Sequence, residues 1–371
     1  MKILLLGDYS NYHACLAEGL RRQGHSVTVA SDGSGWMDTS RNVSLRRPLP
    51  GYAGGALLYM KMLIDGRIKG YDIVSLISPS FVTLRPHRLR RIFERLRRHN
   101  GAIFLSATGT DKAVMDMYFA DDCPLRYSEY FMADGSANPA ASTFAQKDLE
   151  WCKGAIGDFC EFIYDNVAGV TTALYEYDLA MRRRLDGDMV SYVGIPVDLE
   201  AVKLVDTPLM ADGRLHMFLG RHSHRMAFKG TDIIGRVAEK VASEYPDRCV
   251  LDIVENIPYA DYLRRLRSAD FVLDQLYSYT PATNALLAMA AGQATLSGGE
   301  PEYYDFIGEK DLRPVINAVP DEVVLYDALR SAVLNPSVII EAGAQGREFV
   351  RKHNDVDVVA QRCMDFWTSK L

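Results

Sequence analysis

The chain opens on an apolar run, Ile3-Leu4-Leu5-Leu6, that closes on Gly7 and Asp8. Short runs of this kind, bounded by turn residues, predict strands buried on both faces. Apolar positions over residues 11–23 recur at helical spacing, and Gly24 is placed to end that helix as its C′ residue. Further strands are predicted at 26–30, 73–77, 102–106, 169–172 and 190–193, with helical stretches among them. Strands alternating with helices imply βαβ units, right-handed crossovers and a parallel sheet. The pattern resets over residues 204–213, where Val205-Asp206-Thr207-Pro208 and Ala211-Asp212-Gly213 read as a polar linker. A second series comes next, with strands at 216–219, 249–254, 271–276 and 294–296 and helices at 231–243, 259–268 and 282–291. Helices at 321–334, 337–352 and 356–370 finish the chain. The expected fold class is α/β, with two facing, Rossmann-like, doubly wound domains at 1–203 and 204–352 and a closing helix at 353–371. Ligands of such sheets bind beyond the carboxyl ends of the strands, which sets the expected site between two loop sets.

Composition narrows the classes. The 371 residues are 48% hydrophobic and 24% charged, as in a soluble globular protein of two domains. A net charge of −6 and a pI near 5.8 argue against a nucleic-acid binder driven by bulk charge. Mean hydropathy is −0.09, and no long apolar run predicts a membrane span. The amino terminus reads as a strand, not a secretory leader. Cys15, Cys123, Cys152, Cys160, Cys249 and Cys363 are scattered, which fits reduced thiols in a cytoplasmic protein. His222 and His224 have metal-ligand spacing but no neighbouring Cys or carboxylate, so no metal site is expected. Trp36, Trp151 and Trp367 form no stripe and are expected in cores.

Charge is uneven inside the first domain. Residues 21–101 hold 15 Lys/Arg against 5 Asp/Glu, whereas residues 102–165 hold 4 against 11. The basic segment peaks between Arg85 and His99, where Leu89, Ile92, Phe93 and Leu96 recur at helical spacing among arginines. Two readings stand: a basic amphipathic helix for anionic lipid or substrate, or a solvated helix whose apolar stripe packs on the sheet.

Several chemistries are excluded by their missing loops. The turn Gly7-Asp8-Tyr9-Ser10-Asn11-Tyr12-His13 lacks G-x-G-x-x-G, and neither a P-loop nor a G-x-S-x-G elbow occurs. The second domain offers a phosphate site instead. Arg221 ends its first strand, and Phe228-Lys229-Gly230-Thr231-Asp232 leads into a helix. Two cations at a strand end and a helix amino terminus can trap phosphate. A second polar turn, Tyr277-Ser278-Tyr279-Thr280-Pro281-Ala282-Thr283-Asn284, predicts a helix start with Thr280 as N-cap and Pro281 at N1.

These segments, in this order, resemble the retaining GT-B-fold glycosyltransferases of family 4, which use nucleotide sugars in bacterial envelope polysaccharide synthesis. Met1–Ser31 is similar to that family's opening strand, loop, helix and second strand, and residues 169–181 and 192–198 to its segments before the second domain. Residues 218–232 resemble its "G-R…K-G-x-D" segment, 269–292 the "P-S-x-x-E" and "E-A-M-A-x-G" segment, and 353–367 a helix crossing back to the first domain. The resemblance implies a nucleotide diphosphate sugar bound by Arg221 and Lys229, with Ser278, Tyr279, Thr280 and Asn284 adding donors. It implies a glycan or lipid-linked acceptor on the side of Gly7, Ser10, Asn11, His13, Gly109, Thr110 and Asp111. It also implies metal-independent transfer without a cofactor, by front-face attack in which the leaving phosphate takes the acceptor proton.

The chain departs from that family at one pair of positions. Its two glutamates, eight positions apart, fall on Tyr279 and Leu287. Glu300 and Glu302, after the next strand, either approach the sugar or lie on the loop surface. His13 is either an acceptor-side group or a packing residue. Asp111 either accepts from an acceptor hydroxyl or caps the following helix. The leading expectation is a glycosyltransferase of cell-surface polysaccharide or glycolipid synthesis; for Arg85 to His99 a peripheral contact on the inner membrane face stands beside the reading as plain solvated surface. Two alternatives stand beside it, a nucleotide-sugar 2-epimerase and a non-catalytic nucleotide-sugar-binding partner of an active transferase.

Overall fold

A computed structural model describes residues 1–205 and 210–371, so residues 206–209 of the expected linker, and the side chain of Trp151, lie outside the described residues. The chain divides into two compact units. The first comprises Met1–Asp121, Lys147–Asp198 and Val356–Leu371, and the second Asp122–Gln146 and Leu199–Asp355. The chain thus changes unit at 198/199 and 355/356, where the pattern sets boundaries at 203/204 and 352/353. The segment Asp122–Gln146 folds with the second unit, which the sequence pattern does not signal.

The first unit holds a parallel sheet of seven strands: β1 (Lys2–Leu6), β2 (Ser26–Ser31), β3 (Val43–Ser44), β4 (Ile73–Leu76), β5 (Ala102–Ala107), β6 (Gly169–Thr172) and β7 (Val190–Tyr192). Their order is β3-β2-β1-β4-β5-β6-β7, the doubly wound arrangement in which the direction of winding reverses between β1 and β4. Ile3, Leu4, Leu5 and Leu6 are wholly buried, as expected for a central parallel strand covered on both faces. The helix Tyr12–Arg22 ends as predicted, with Gly24 at φ 83° donating its N–H to the Arg21 carbonyl (2.9 Å).

The closing helix Val356–Ser369 belongs to this unit. Its first N–H bonds the Val197 carbonyl (2.9 Å), and Trp367 is buried beside Phe104 at 5.9 Å between ring centroids. Trp36, by contrast, is 55% exposed, so the expectation of core packing fails there. The apolar stripe of the helix Pro86–His99 belongs to the core: Leu89, Ile92, Phe93 and Leu96 are each at most 1% exposed. The arginines of that helix face water, together with His87, Glu94 and His99.

The second unit holds five parallel strands, β8 (Leu215–Arg221), β9 (Cys249–Glu255), β10 (Phe271–Leu273), β11 (Ala294–Ser297) and β12 (Ile316–Asn317). Their order, β12-β11-β10-β8-β9, is the flavodoxin-like one, with its reversal between β8 and β10. The strand predicted over 271–276 ends at Leu273, although the Asp274 N–H still bonds the Leu296 carbonyl (2.9 Å). The six cysteines form no disulfide.

The packing of the closing helix yields a stability test. A Cβ on Gly19 would sit 2.5 Å from the Val356 carbonyl oxygen, where the helix Tyr12–Arg22 meets the closing helix. Backbone cannot yield as a flexible side chain does. Gly19→Val should therefore lower stability to urea by about 1–3 kcal/mol, and an unchanged unfolding midpoint would contradict this contact.

Candidate functional site

The second unit builds its polar surface at the carboxyl ends of β8 and β10. Gly230, in a left-handed conformation (φ 66°), starts the helix Thr231–Glu244, and a Cβ there would lie 2.6 Å from Leu276 Cβ. The Leu276 N–H also bonds the Lys229 carbonyl (2.9 Å), so the two loops lock together at this glycine. Lys229 Nζ then lies 3.5 Å from Asp274 Oδ1. Asp274 is buried, and it also accepts from Asn284 Nδ2 (3.4 Å) and Ser297 Oγ (3.3 Å). Arg221 runs along the same helix, and a Cβ on Gly235 would meet its Nη1 at 3.2 Å. Its Nε is buried without a hydrogen-bond partner.

The following turn corrects one expectation. Thr280 is not the N-cap; the helix runs Thr283–Ala290, with Ala282 at its N-cap position. Thr280 and Ser278 are buried in a tight turn instead, where Ser278 Oγ donates to the Thr280 carbonyl (2.7 Å). The tyrosine at the position of the family's first glutamate is also buried. Tyr279 Oη accepts the Arg126 backbone N–H (2.6 Å), and its ring lies 5.0 Å from that of Tyr127. Burial pushes its phenol up to about 12.

Glu300 is 2% exposed, which excludes the reading as loop surface. Its Oε1 accepts from Tyr127 Oη (2.6 Å) and Asn317 Nδ2 (2.9 Å), and its Oε2 pairs with Arg126. Glu302, more exposed, takes the Arg126 Nε at 3.0 Å. Burial works against the Arg126 charge, but the two carboxylates more than offset it and raise its pKa above the ordinary arginine value. The same segment reaches the other loops. Phe144 meets Phe228 edge-on at 5.2 Å, and Asn138 bonds Tyr277. Asp122–Gln146 therefore touches the loops after β8, β10 and β11, all within the second unit. Sequence reasoning missed Arg126, Tyr127, Asp274 and Asn317. Of these only Asp274, a carboxylate at a strand end, carried a signal.

In the first unit the corresponding loops come after β1, β4 and β5. Gly7, at φ 82°, passes Ile77 so closely that a Cβ would lie 2.3 Å from its Cγ2. Tyr9 Oη bonds Ser78 Oγ (3.0 Å), and Thr108 Oγ1 donates to the Ile77 carbonyl (2.7 Å). Ser10 and Asn11 are exposed at positive φ, and Gly109 and Thr110 are half-buried beside them. A Cβ on Gly109 would be 4.0 Å from the Tyr9 ring.

His13 and Asp111 lie deeper. The His13 ring is wholly buried; its Nδ1–H donates to the Gly7 carbonyl (2.8 Å), and Nε2 faces Ser75 Oγ at 3.4 Å. Burial lowers its pKa to about 4, so it is neutral at pH 7. Ser75 continues to Ser106 (2.9 Å) and Thr171 (3.2 Å), a hydroxyl row across three strands. Asp111 caps the helix Lys112–Tyr118, its Oδ1 accepting from the Ala113 (3.1 Å) and Val114 (3.4 Å) N–H groups. The capping alternative is the one the geometry shows for Asp111.

No protein-family model and no curated protein matches the sequence. Solved structures match it in fold along its whole length. The chain is similar to a sucrose-phosphate synthase from Thermosynechococcus elongatus at 14% identity and TM-score 0.62, over 100% of this chain and 99% of that one. It is similar to HepE of Anabaena, solved with UDP and glucose, at 11% identity and TM-score 0.62, over 100% of both chains. It is also similar to WaaG, a glycosyltransferase involved in lipopolysaccharide biosynthesis, at 12% identity and TM-score 0.57, over 98% of this chain and 99% of that one. The fold is thus that of the GT-B glycosyltransferases, two parallel-sheet α/β domains.

Asp111 gives the site a titration test. Burial raises its pKa to about 6, so the folded chain holds this proton more tightly than the unfolded one. Its contribution to stability therefore falls as pH rises from about 4 to about 6, by about 3 kcal/mol, against the opposite contribution of the buried His13 over the same window. Asp111→Asn keeps an acceptor for the cap and has no proton to lose. Measured by urea unfolding, the stability of wild type relative to the variant should fall by about 3 kcal/mol across this window; a difference that does not change with pH would contradict the burial of this carboxylate.

Proposed function

We propose that this chain is a glycosyltransferase moving a sugar from a nucleotide diphosphate sugar to a glycan or lipid-linked acceptor. The observation that carries the proposal is the group of Arg221, Lys229, Asp274 and Asn284 at the β8/β10 reversal. Ligands of flavodoxin-like sheets bind at that reversal, and the lysine there is already paired with a buried carboxylate. A diphosphate arriving at Lys229 meets a cation that is partly buried and already oriented, so less of its binding energy is lost to reorganisation. HepE, which shares the fold, was solved with UDP and glucose, and this supports the same donor class here.

In the proposed reaction the bond from the anomeric carbon to the phosphate oxygen breaks. A bond from that carbon to the acceptor oxygen forms on the same face, and the leaving phosphate takes the acceptor proton. Arg221 and Lys229 stabilise the charge that develops on the diphosphate, the task a divalent cation performs elsewhere. Retention, independence of metal and a role in cell-surface polysaccharide or glycolipid synthesis rest on the sequence resemblance. A non-catalytic donor-binding role is the second reading. One observation favours it: Tyr279, at the first glutamate position, already accepts the Arg126 N–H.

Arg221→Ala and Lys229→Ala should each weaken nucleotide diphosphate binding by roughly 1.5–3 kcal/mol in calorimetry, the worth of a charge-assisted hydrogen bond. Unchanged affinity in both variants would move the donor site elsewhere. Turnover, measured as nucleotide diphosphate released with acceptor present, should survive EDTA, and loss restored by Mg²⁺ or Mn²⁺ would refute metal independence. A 2-epimerase would consume the donor without acceptor and release no sustained nucleotide diphosphate. Binding without any turnover would select the non-catalytic role.

A further inference from the structure

The helix Gly51–Ile64 is apolar on all sides: Lys61 is its one charged residue. Such a helix is normally buried all round. Here Gly54, Gly55, Leu58 and Met62 are buried, while the opposite side is open. Leu57, Met60 and Ile64, spaced to share one helical face, are 49%, 54% and 75% exposed. Tyr52, 68% exposed, extends the apolar surface at the amino end. Three large aliphatic side chains in a row on a water-facing helix mark a contact surface.

The charge beside it says what it fits. At the amino end of the helix a pocket of about 170 Å³ is lined by Arg47, Arg85, Arg88 and Tyr52, together with Leu84 and two glycines, and no carboxylate. Arg88 donates to Tyr52 Oη (3.1 Å) and lies over the Tyr52 ring at 5.0 Å. These contacts hold the guanidinium without neutralising it. Of the seven arginines from Arg85 to Arg98, Arg90 is the one with an ion pair among the described residues, to Glu94 at 3.7 Å.

We propose that this face is a docking surface for an anionic phospholipid bilayer. Lipid phosphates would meet the arginines around Tyr52, and Leu57, Met60 and Ile64 would enter the boundary between headgroups and acyl chains. Fourteen residues on one packed helix lie on a membrane and do not cross it. A second copy of the chain suits this face poorly, since it would bring two arginine-rich surfaces together. The inference replaces the buried stripe of the helix Pro86–His99 with an exposed one on its neighbour, and it stands whether or not the chain transfers sugar.

Sedimentation of the full chain with vesicles tests it. Wild type should bind phosphatidylcholine vesicles containing phosphatidylglycerol, with a strong salt dependence, and should not bind phosphatidylcholine alone. The triple variant Leu57→Ser, Met60→Ser, Ile64→Ser retains every charge and should bind about a hundredfold more weakly, roughly fivefold for each half-exposed side chain. The variant Arg85→Gln, Arg88→Gln should lose about fivefold for each charge. Both should keep the wild-type unfolding midpoint and nucleotide affinity. Failure of wild type to bind anionic vesicles overturns the proposal, as does wild-type binding by the triple variant. Sedimentation velocity supplies the third outcome: a dimer that the triple variant dissociates would give this face to a second copy.

Discussion

Each sheet depends on one crowded crossing. Where winding reverses, the loop leaving the first strand must pass the loop leaving the strand beside it, and there is no room for a Cβ. Gly7 meets Ile77 in the first unit and Gly230 meets Leu276 in the second, both at positive φ that a glycine adopts without strain. The crossing sets the course of the chain on its far side. Beyond Gly7 the chain is free to present Tyr9, Ser10 and Asn11, and beyond Gly230 it enters a helix whose first turn stands against Leu276 and Tyr277. Polar chemistry collects at these ends because the strands themselves are covered on both faces and cannot carry it.

A buried carboxylate shapes the rest of the second unit. An ionised Glu300 out of water costs several kcal/mol unless it is paired and hydrogen-bonded. Asn317 supplies one donor from the neighbouring strand, but the cation and the phenol come from Arg126 and Tyr127. The segment Asp122–Gln146 thus completes a charge that residues 199–355 cannot satisfy alone, which is a physical reason for it to fold with them. Tyr279 fits the same assembly. Its ring packs on Tyr127 and its hydroxyl takes a backbone N–H, whereas a glutamate there could not stack and would add a second acid beside Glu300.

Legibility in the sequence depends on whether the information is local. Strands β1, β4 and β5 stood out because burial on both faces writes a nearly continuous apolar run into the chain. The two-residue strands β3 and β12 are too short to write any pattern. Arg221, Lys229 and Asn284 were legible because loop cations and amides at strand ends are local features. Asp274 as the partner of Lys229 was not, nor was Arg126 as the partner of Glu300 across 174 positions, since such pairs are set by tertiary folding. His13 shows how two open readings are settled by the fold. Its place after β1 allowed an acceptor-side group or a packing residue, and the helix that begins there turns the ring inward onto the Gly7 carbonyl, the packing arrangement.

The two basic features of the chain are physically different, and the net charge of −6 conceals both. Lys229 faces a buried counter-charge, so it acts over contact distances and favours a compact polyanion that can displace or share Asp274. Arg85, Arg88, Arg91, Arg97 and Arg98 have no carboxylate partner among the described residues and sum into a field that reaches about a Debye length, roughly 8 Å in physiological salt. Salt therefore separates them. Raising ionic strength collapses the outer field while leaving the sheltered pair at Lys229 nearly intact, because a half-buried cation beside a buried carboxylate is screened far less. A chain built this way keeps the short-range field at Lys229 independent of the outer field of its arginines.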